Sequence, residues 1–80
     1  MNLEYLKYFH YVVIENGFTK ASEKLHIQQP VISRAVKLLE ESLGCKLIER
    51  QRKQVLLTKD GEYLFEISKV IFSKTFEAQE

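Results

Sequence analysis

Eighty residues with a single cysteine, Cys45, leave room for one domain with a small core and exclude an internal disulfide. Apolar residues at 45% and charged residues at 29% are ordinary for a globular chain, and no apolar run approaches the roughly 18 residues needed to span a bilayer. The net charge of +1 is low for a nucleic-acid-binding domain, but residues 17–54 carry +4, against −1 before them and −2 after, a spread that a mixed-charge solvated surface explains as readily as a nucleic-acid footprint.

Residues 3–15 place apolar side chains at Leu3, Leu6, Phe9 and Val13, in steps of three and four, widened by Tyr5, Tyr8 and Val12. That is one helical stripe, with Asn2 as its cap and Glu4 at the positive end of its dipole. Asn16-Gly17 ends it, since both residues tolerate the left-handed conformation. The start of the chain lacks a basic segment followed by an apolar run and a small-residue cleavage site, so secretion is not indicated and a cytoplasmic location is expected.

A short helix then runs from residue 18 or 19 to 25, with Ala21 and Leu25 facing inward. His26, Ile27 and Gln28 form a turn pinned by Ile27. Pro30 has no backbone N–H and fits the first turn of a new helix, where that group would have no helical partner. This third helix, residues 29–43, continues through Val31, Ile32, Ala35, Val36, Leu39 and Leu43 and stops at Gly44.

Residues 46–50 and 55–58 are candidate strands around a polar, basic tip, Gln51 to Gln54, giving a β-hairpin or wing over 46–58. Thr58 caps a last helix over residues 59–80, with Asp60 and Glu62 in its first turn. Gly61 there costs about 1 kcal/mol relative to Ala and predicts close packing against the wing. Its apolar residues cover two faces, Leu64, Ile67 and Ile71 on one and Phe65, Phe72 and Phe76 on the other. A domain this small covers one such face more easily than both, so the phenylalanine face is expected to pair with a second copy.

Two helices locked across a tight turn by Ala21, Leu25, Ile27, Ile32 and Ala35 describe a helix-turn-helix. The residues left outward at the start of the third helix suit DNA. Gln29 can pair with adenine, Pro30 and Val31 can meet a thymine methyl, and Ser33 can bond a phosphate oxygen. Arg34 reaches guanine or phosphate, and Lys37 meets the backbone. An ordinary surface helix that happens to begin Gln-Gln-Pro is the bland alternative, and the basic hairpin that follows weighs against it.

The chain also resembles the N-terminal domain of LysR-type transcriptional regulators. The residues that carry the resemblance are Leu6, Tyr8-Phe9, Gly17-Phe18-Thr19, Ala21, Leu25, Gln29-Pro30, Ile32-Ser33-Arg34, Leu39-Glu40, Leu43-Gly44, Leu47, Arg50 and Leu57-Thr58-Gly61. The resemblance implies a mainly α fold: a winged helix-turn-helix over residues 1–58, with a three-helix core and a two-stranded β wing, followed by a long dimerisation helix over 59–80. It further implies base reading by Gln29 and Pro30 with Ser33 and Arg34 beside them, phosphate contacts from Thr19 and Arg50, and a minor-groove or backbone contact from Arg52 and Lys53. Three positions depart from the family pattern. Ser22 stands where Ala is usual, Ile48 replaces a common Phe, and Gln28 replaces a capping Ser, which leaves the helix start less rigid or adds a DNA contact.

Expected partners are therefore double-stranded promoter DNA and a second copy of the chain, joined as a homodimer through the last helix, with no membrane and no cofactor in these residues. The resemblance places a small-molecule effector on a further C-terminal domain. Cys45, His10 and His26 lack metal-ligand spacing, and nothing resembles a nucleophile with a base, so no enzymatic role is expected. The rival reading is a winged-helix protein-interaction module without DNA binding.

Overall fold

The computed structural model describes residues 1–50 and 54–77, with side chains in the last helix as far as Ser73. The described residues form four helices, α1 (Leu3–Glu15), α2 (Phe18–Leu25), α3 (Gln29–Leu43) and α4 (Lys59–Glu77), and a two-stranded sheet of β1 (Ile48–Glu49) and β2 (Leu56–Leu57). The strands are antiparallel, with Ile48 opposite Leu57 and Glu49 opposite Leu56. This is a winged helix-turn-helix.

Helix α1 is the hub, packed against α2, α3 and α4. Leu6, Phe9 and Val12 are fully buried and meet Ala21, Ile32, Val36, Leu39, Leu47 and Leu64 in one cluster. Leu3, expected on the buried stripe, is 62% exposed, whereas His10 is 6% exposed. The buried face is rotated toward His10 because α4 covers that side of α1. His10 Nδ1 lies 2.7 Å from Ser68 Oγ, and Ser68 Oγ donates to the Phe65 carbonyl at 2.8 Å. A hydroxyl has one proton, so His10 Nδ1 is the donor in this pair.

Burial, and secondarily the charge of Lys69, push the His10 pKa below its ordinary value near 6.5. The unfolded chain therefore binds a proton at a pH where the folded chain does not, and stability rises with pH in that window. Denaturant unfolding should show full stability above about pH 6.5, and a loss of up to about 1.4 kcal/mol per pH unit from there down to the depressed folded value. His10→Gln should flatten that slope.

Local rules set most helix ends. Asn2 Oδ1 accepts from the Glu4 and Tyr5 N–H groups, and Thr58 Oγ1 accepts from Gly61 N–H. Gly44 closes α3 in the left-handed conformation at φ 74°. Asn16 does the same for α1 at φ 58°, while Gly17 is extended and does not share that role.

The sheet is shorter than the predicted strands because side chains take over at both ends. Glu40 Oε2 accepts from Leu47 and Ile48 N–H, Thr58 Oγ1 donates to the Lys46 carbonyl, and Asn16 Oδ1 accepts from Val55 N–H. Gly61 packs on the base of this wing, as its position predicts. A Cβ there would meet the Leu47 carbonyl oxygen and Leu57 Cδ2 at 3.2 Å.

The faces of α4 divide differently from the expectation. The line that touches α1 and the wing is Gly61, Leu64 and Ser68, and Phe65 and Phe72 flank it with their rings 5.4 and 5.0 Å from that of His10. The outward apolar residues are Tyr63, Ile67 and Val70, at 73%, 39% and 57% exposure. Small residues let the helix axis approach most closely between the two apolar rows, so neither row alone forms the core face. The side chain of Phe76 lies outside the described residues. Among the described residues no helix is long and apolar enough to cross a membrane.

Candidate nucleic-acid interface

Helix α3 buries Ile32, Ala35, Val36, Leu39 and Glu40 and turns Pro30, Arg34 and Lys37 to solvent. Gln29 and Ser33 are half-buried along the edge of that outward face. Val31, counted in the apolar run of the helix, is 49% exposed and belongs to the outward surface, as does Leu43 at 40%. Glu41 is exposed one turn beyond Lys37, and a carboxylate there repels phosphate. The part of α3 suited to a DNA groove is thus its first two to three turns.

Gln28 is exposed and makes no side-chain capping bond at the start of α3, and Gly17 offers none to α2. Thr19 is exposed in the first turn of α2. The beginnings of α2 and α3 and the base of the wing meet around a pocket whose lining includes Phe18, Ser33, Arg50, Gln54 and Val55, together with the acidic Glu49. The fold thereby brings Ser33 of the third helix beside Arg50 of the wing, 17 positions apart in the chain. Arg52 and Lys53 lie outside the described residues.

Arg50 is tied to the protein on two sides. One guanidinium nitrogen, Nη2, donates to Glu40 Oε1 at 3.2 Å, and the group sits 5.2 Å from the centre of the Phe18 ring. A guanidinium carries five N–H donors, so these contacts orient it and leave donors for an external anion. Glu40, 3% exposed on α3, is the residue behind this arrangement, and sequence reasoning gave it no role. The available signal was a carboxylate on the edge of an otherwise apolar helical face, ten residues before an arginine.

The residues set aside are placed apart. His10 is buried between α1 and α4, and His26 is exposed in the turn before α3, in the left-handed conformation at φ 57°. Cys45 is half-buried after Gly44, with its thiol pKa raised by burial and by the carboxylate of Asp60, which disfavours the reactive thiolate.

Residues 3–62 match the family of bacterial regulatory helix-turn-helix proteins of the LysR type. The chain belongs to the LysR family. It is similar to the RuBisCO operon transcriptional regulator of Allochromatium vinosum, with 39% identity over the whole chain and 26% of that protein's length. It is 46% identical to the HTH-type transcriptional regulator BenM of Acinetobacter baylyi over 82% of the chain and 22% of that protein. The chain thus spans about a quarter of the length of these relatives. Among solved structures, the BenM DNA-binding domain in complex with catB site 1 DNA superposes with a TM-score of 0.90 at 40% identity, covering 98% of this chain and 87% of that one. Full-length AphB, the Vibrio cholerae virulence activator, gives 0.90 at 28% identity, covering 99% of this chain and 27% of that one. The relatives it matches are named as transcriptional regulators.

Proposed function

We propose that this LysR-family domain binds double-stranded promoter DNA as a homodimer, with the first turns of α3 in the major groove and the wing against the flanking backbone. The observation that carries the reading is the convergence of Ser33 and Arg50 on one pocket beside the exposed Pro30, Arg34 and Lys37. In this reading Gln29 and Pro30 touch base edges, with Arg34 on guanine or phosphate. Thr19, Ser33, Lys37 and Arg50 hold phosphates, Gln28 adds a contact at the groove edge, and Arg52 and Lys53 act from the wing tip.

The second copy docks on α4. The exposed Tyr63, Ile67 and Val70 recur at helical spacing on one side and form that interface, whereas Phe65 and Phe72, expected there from the sequence, are turned the other way and pack around His10. Regulation by a small-molecule effector is proposed for the parent protein, through residues beyond this domain.

The test uses a duplex selected from a random or genomic pool and a scrambled control, titrated at two salt concentrations. Affinity should fall more than about tenfold between roughly 50 and 200 mM salt. Gln29→Ala should lose about 1–3 kcal/mol of discrimination between the two duplexes. Absence of any shift at low salt, with a clean dimer in sedimentation, would instead support a protein-interaction module.

A further inference from the structure

The wing is held to the helical body from two directions. On the β1 side, Glu40 binds Leu47 and Ile48 N–H and the Arg50 guanidinium, and Phe18 lies under Arg50. On the β2 side, Asn16 Oδ1 accepts from Val55 N–H at 3.1 Å, across 39 residues of sequence. Asn16 also ends α1, with φ 58° and ψ 41° and its own N–H bonded to the α1 carbonyls.

Glycine and asparagine are the residues that adopt this left-handed conformation most readily. A glycine at position 16 would end the helix as well but would leave Val55 N–H without its acceptor. The choice of asparagine therefore does something that helix termination does not require. The tether is solvent-exposed, so its contribution to stability is modest. What it fixes is geometry, because Val55, Gln54 and Arg50 form one wall of the pocket and Ser33 of α3 lies on another part of its lining.

Resting on the proposed DNA-binding reading, we infer that Asn16 is a positioning residue for DNA binding. By tying the first residue before β2 to the α1–α2 turn, it holds the wing's phosphate-binding groups at a set separation from the recognition helix α3. The ligand chemistry is the phosphate backbone of a duplex, which must be gripped by wing and helix at once. A wing free to shift has to be ordered on each binding event, and that ordering cost weakens affinity.

Asn16→Gly keeps the left-handed backbone and removes the acceptor, whereas Asn16→Asp keeps both. The probe is a mixed-sequence duplex of about 30 base pairs at low salt, which reads phosphate contacts without a known operator. Asn16→Gly should leave the unfolding midpoint within about 5 °C of wild type. It should speed amide exchange at Val55 and weaken duplex binding by about three- to tenfold. Asn16→Asp should retain protection at Val55 and serves as the exchange control alone, because its added carboxylate repels phosphate wherever the wing sits. In an Arg50→Gln background, where the contact from the wing base is already lost, Asn16→Gly should cost less than in wild type. Wild-type affinity in Asn16→Gly overturns the inference, as does an undiminished loss in the Arg50→Gln background. Should Arg50→Gln fail to fold, Asn16→Gly decides by itself: faster exchange at Val55 with wild-type affinity overturns the inference. A wild-type chain that does not bind the duplex overturns both the inference and the DNA-binding reading, while binding that is indifferent to Asn16 overturns the inference alone.

Discussion

Gly61→Ala should destabilise the domain by at least about 2 kcal/mol, although alanine is the better helix former by about 1 kcal/mol. The added carbon would lie against the Leu47 carbonyl oxygen, far inside contact distance, and within 3.2 Å of Leu57 Cδ2. A flexible side chain could swing away, but Leu47 is fixed. Its own carbonyl accepts from Thr58 N–H at 3.0 Å and its N–H is held by Glu40. Relief requires α4 to lift off the wing base, which would also disturb the His10–Ser68 contact two turns along. A domain of this size has roughly 4–12 kcal/mol of total stability, so the loss is a large fraction. Thermal unfolding should show a midpoint lower by about 8–16 °C. A midpoint equal to wild type would mean that the helix and wing do not meet at Gly61.

Glu40 is the second sensitive position. Glu40→Ala strips acceptors from two buried N–H groups, Leu47 and Ile48, and removes the carboxylate partner of Arg50. Each buried donor left unpaired costs about 1–3 kcal/mol, so a total near 3–5 kcal/mol is expected in denaturant unfolding. Glu40→Gln separates the two roles. Both backbone bonds go to Oε2, which the amide oxygen can replace, while the amide nitrogen would face Arg50 in place of Oε1. The glutamine variant should recover at least half of the lost stability and still bind DNA more weakly than wild type, because Arg50 is released. Equal stability of the alanine variant and wild type would rule out Glu40 as the tie between α3 and the wing.

Much of this architecture is legible from local chemistry. Asn2, Thr58, Pro30 and Gly44 mark helix ends through groups a few residues away, and the structure has those ends where they predict. The outward placement of Pro30, Arg34 and Lys37 follows from helical period alone. What was not legible depends on partners far along the chain. His10 and Ser68 look like surface residues until α4 folds onto α1 across 58 positions, where each satisfies the other. Glu40 looks like half of an ordinary charged surface until β1 delivers two N–H groups to it. Hydrophobic periodicity misplaces the inward face of α4 because it weighs large side chains, whereas the closest approach is made by Gly61 and Ser68.

The helix caps are unevenly distributed. Helices α1 and α4, which form the scaffold, begin with side-chain caps from Asn2 and Thr58, while α2 and α3, which carry Thr19 and Gln29, begin at Gly17 and Gln28 without one. A helix start without a side-chain cap has donor groups and a positive dipole end that solvent or an anion must satisfy. On the proposed DNA-binding reading, the two helices without a side-chain cap are those nearest the duplex, and an anionic ligand that completes those ends stabilises the fold by mass action. Amide exchange should show this as slower opening of the first turns of α2 and α3 when duplex is added, with the start of α1 unchanged. On that reading the duplex caps the first turns of two helices, and affinity and local order are one equilibrium seen from two sides.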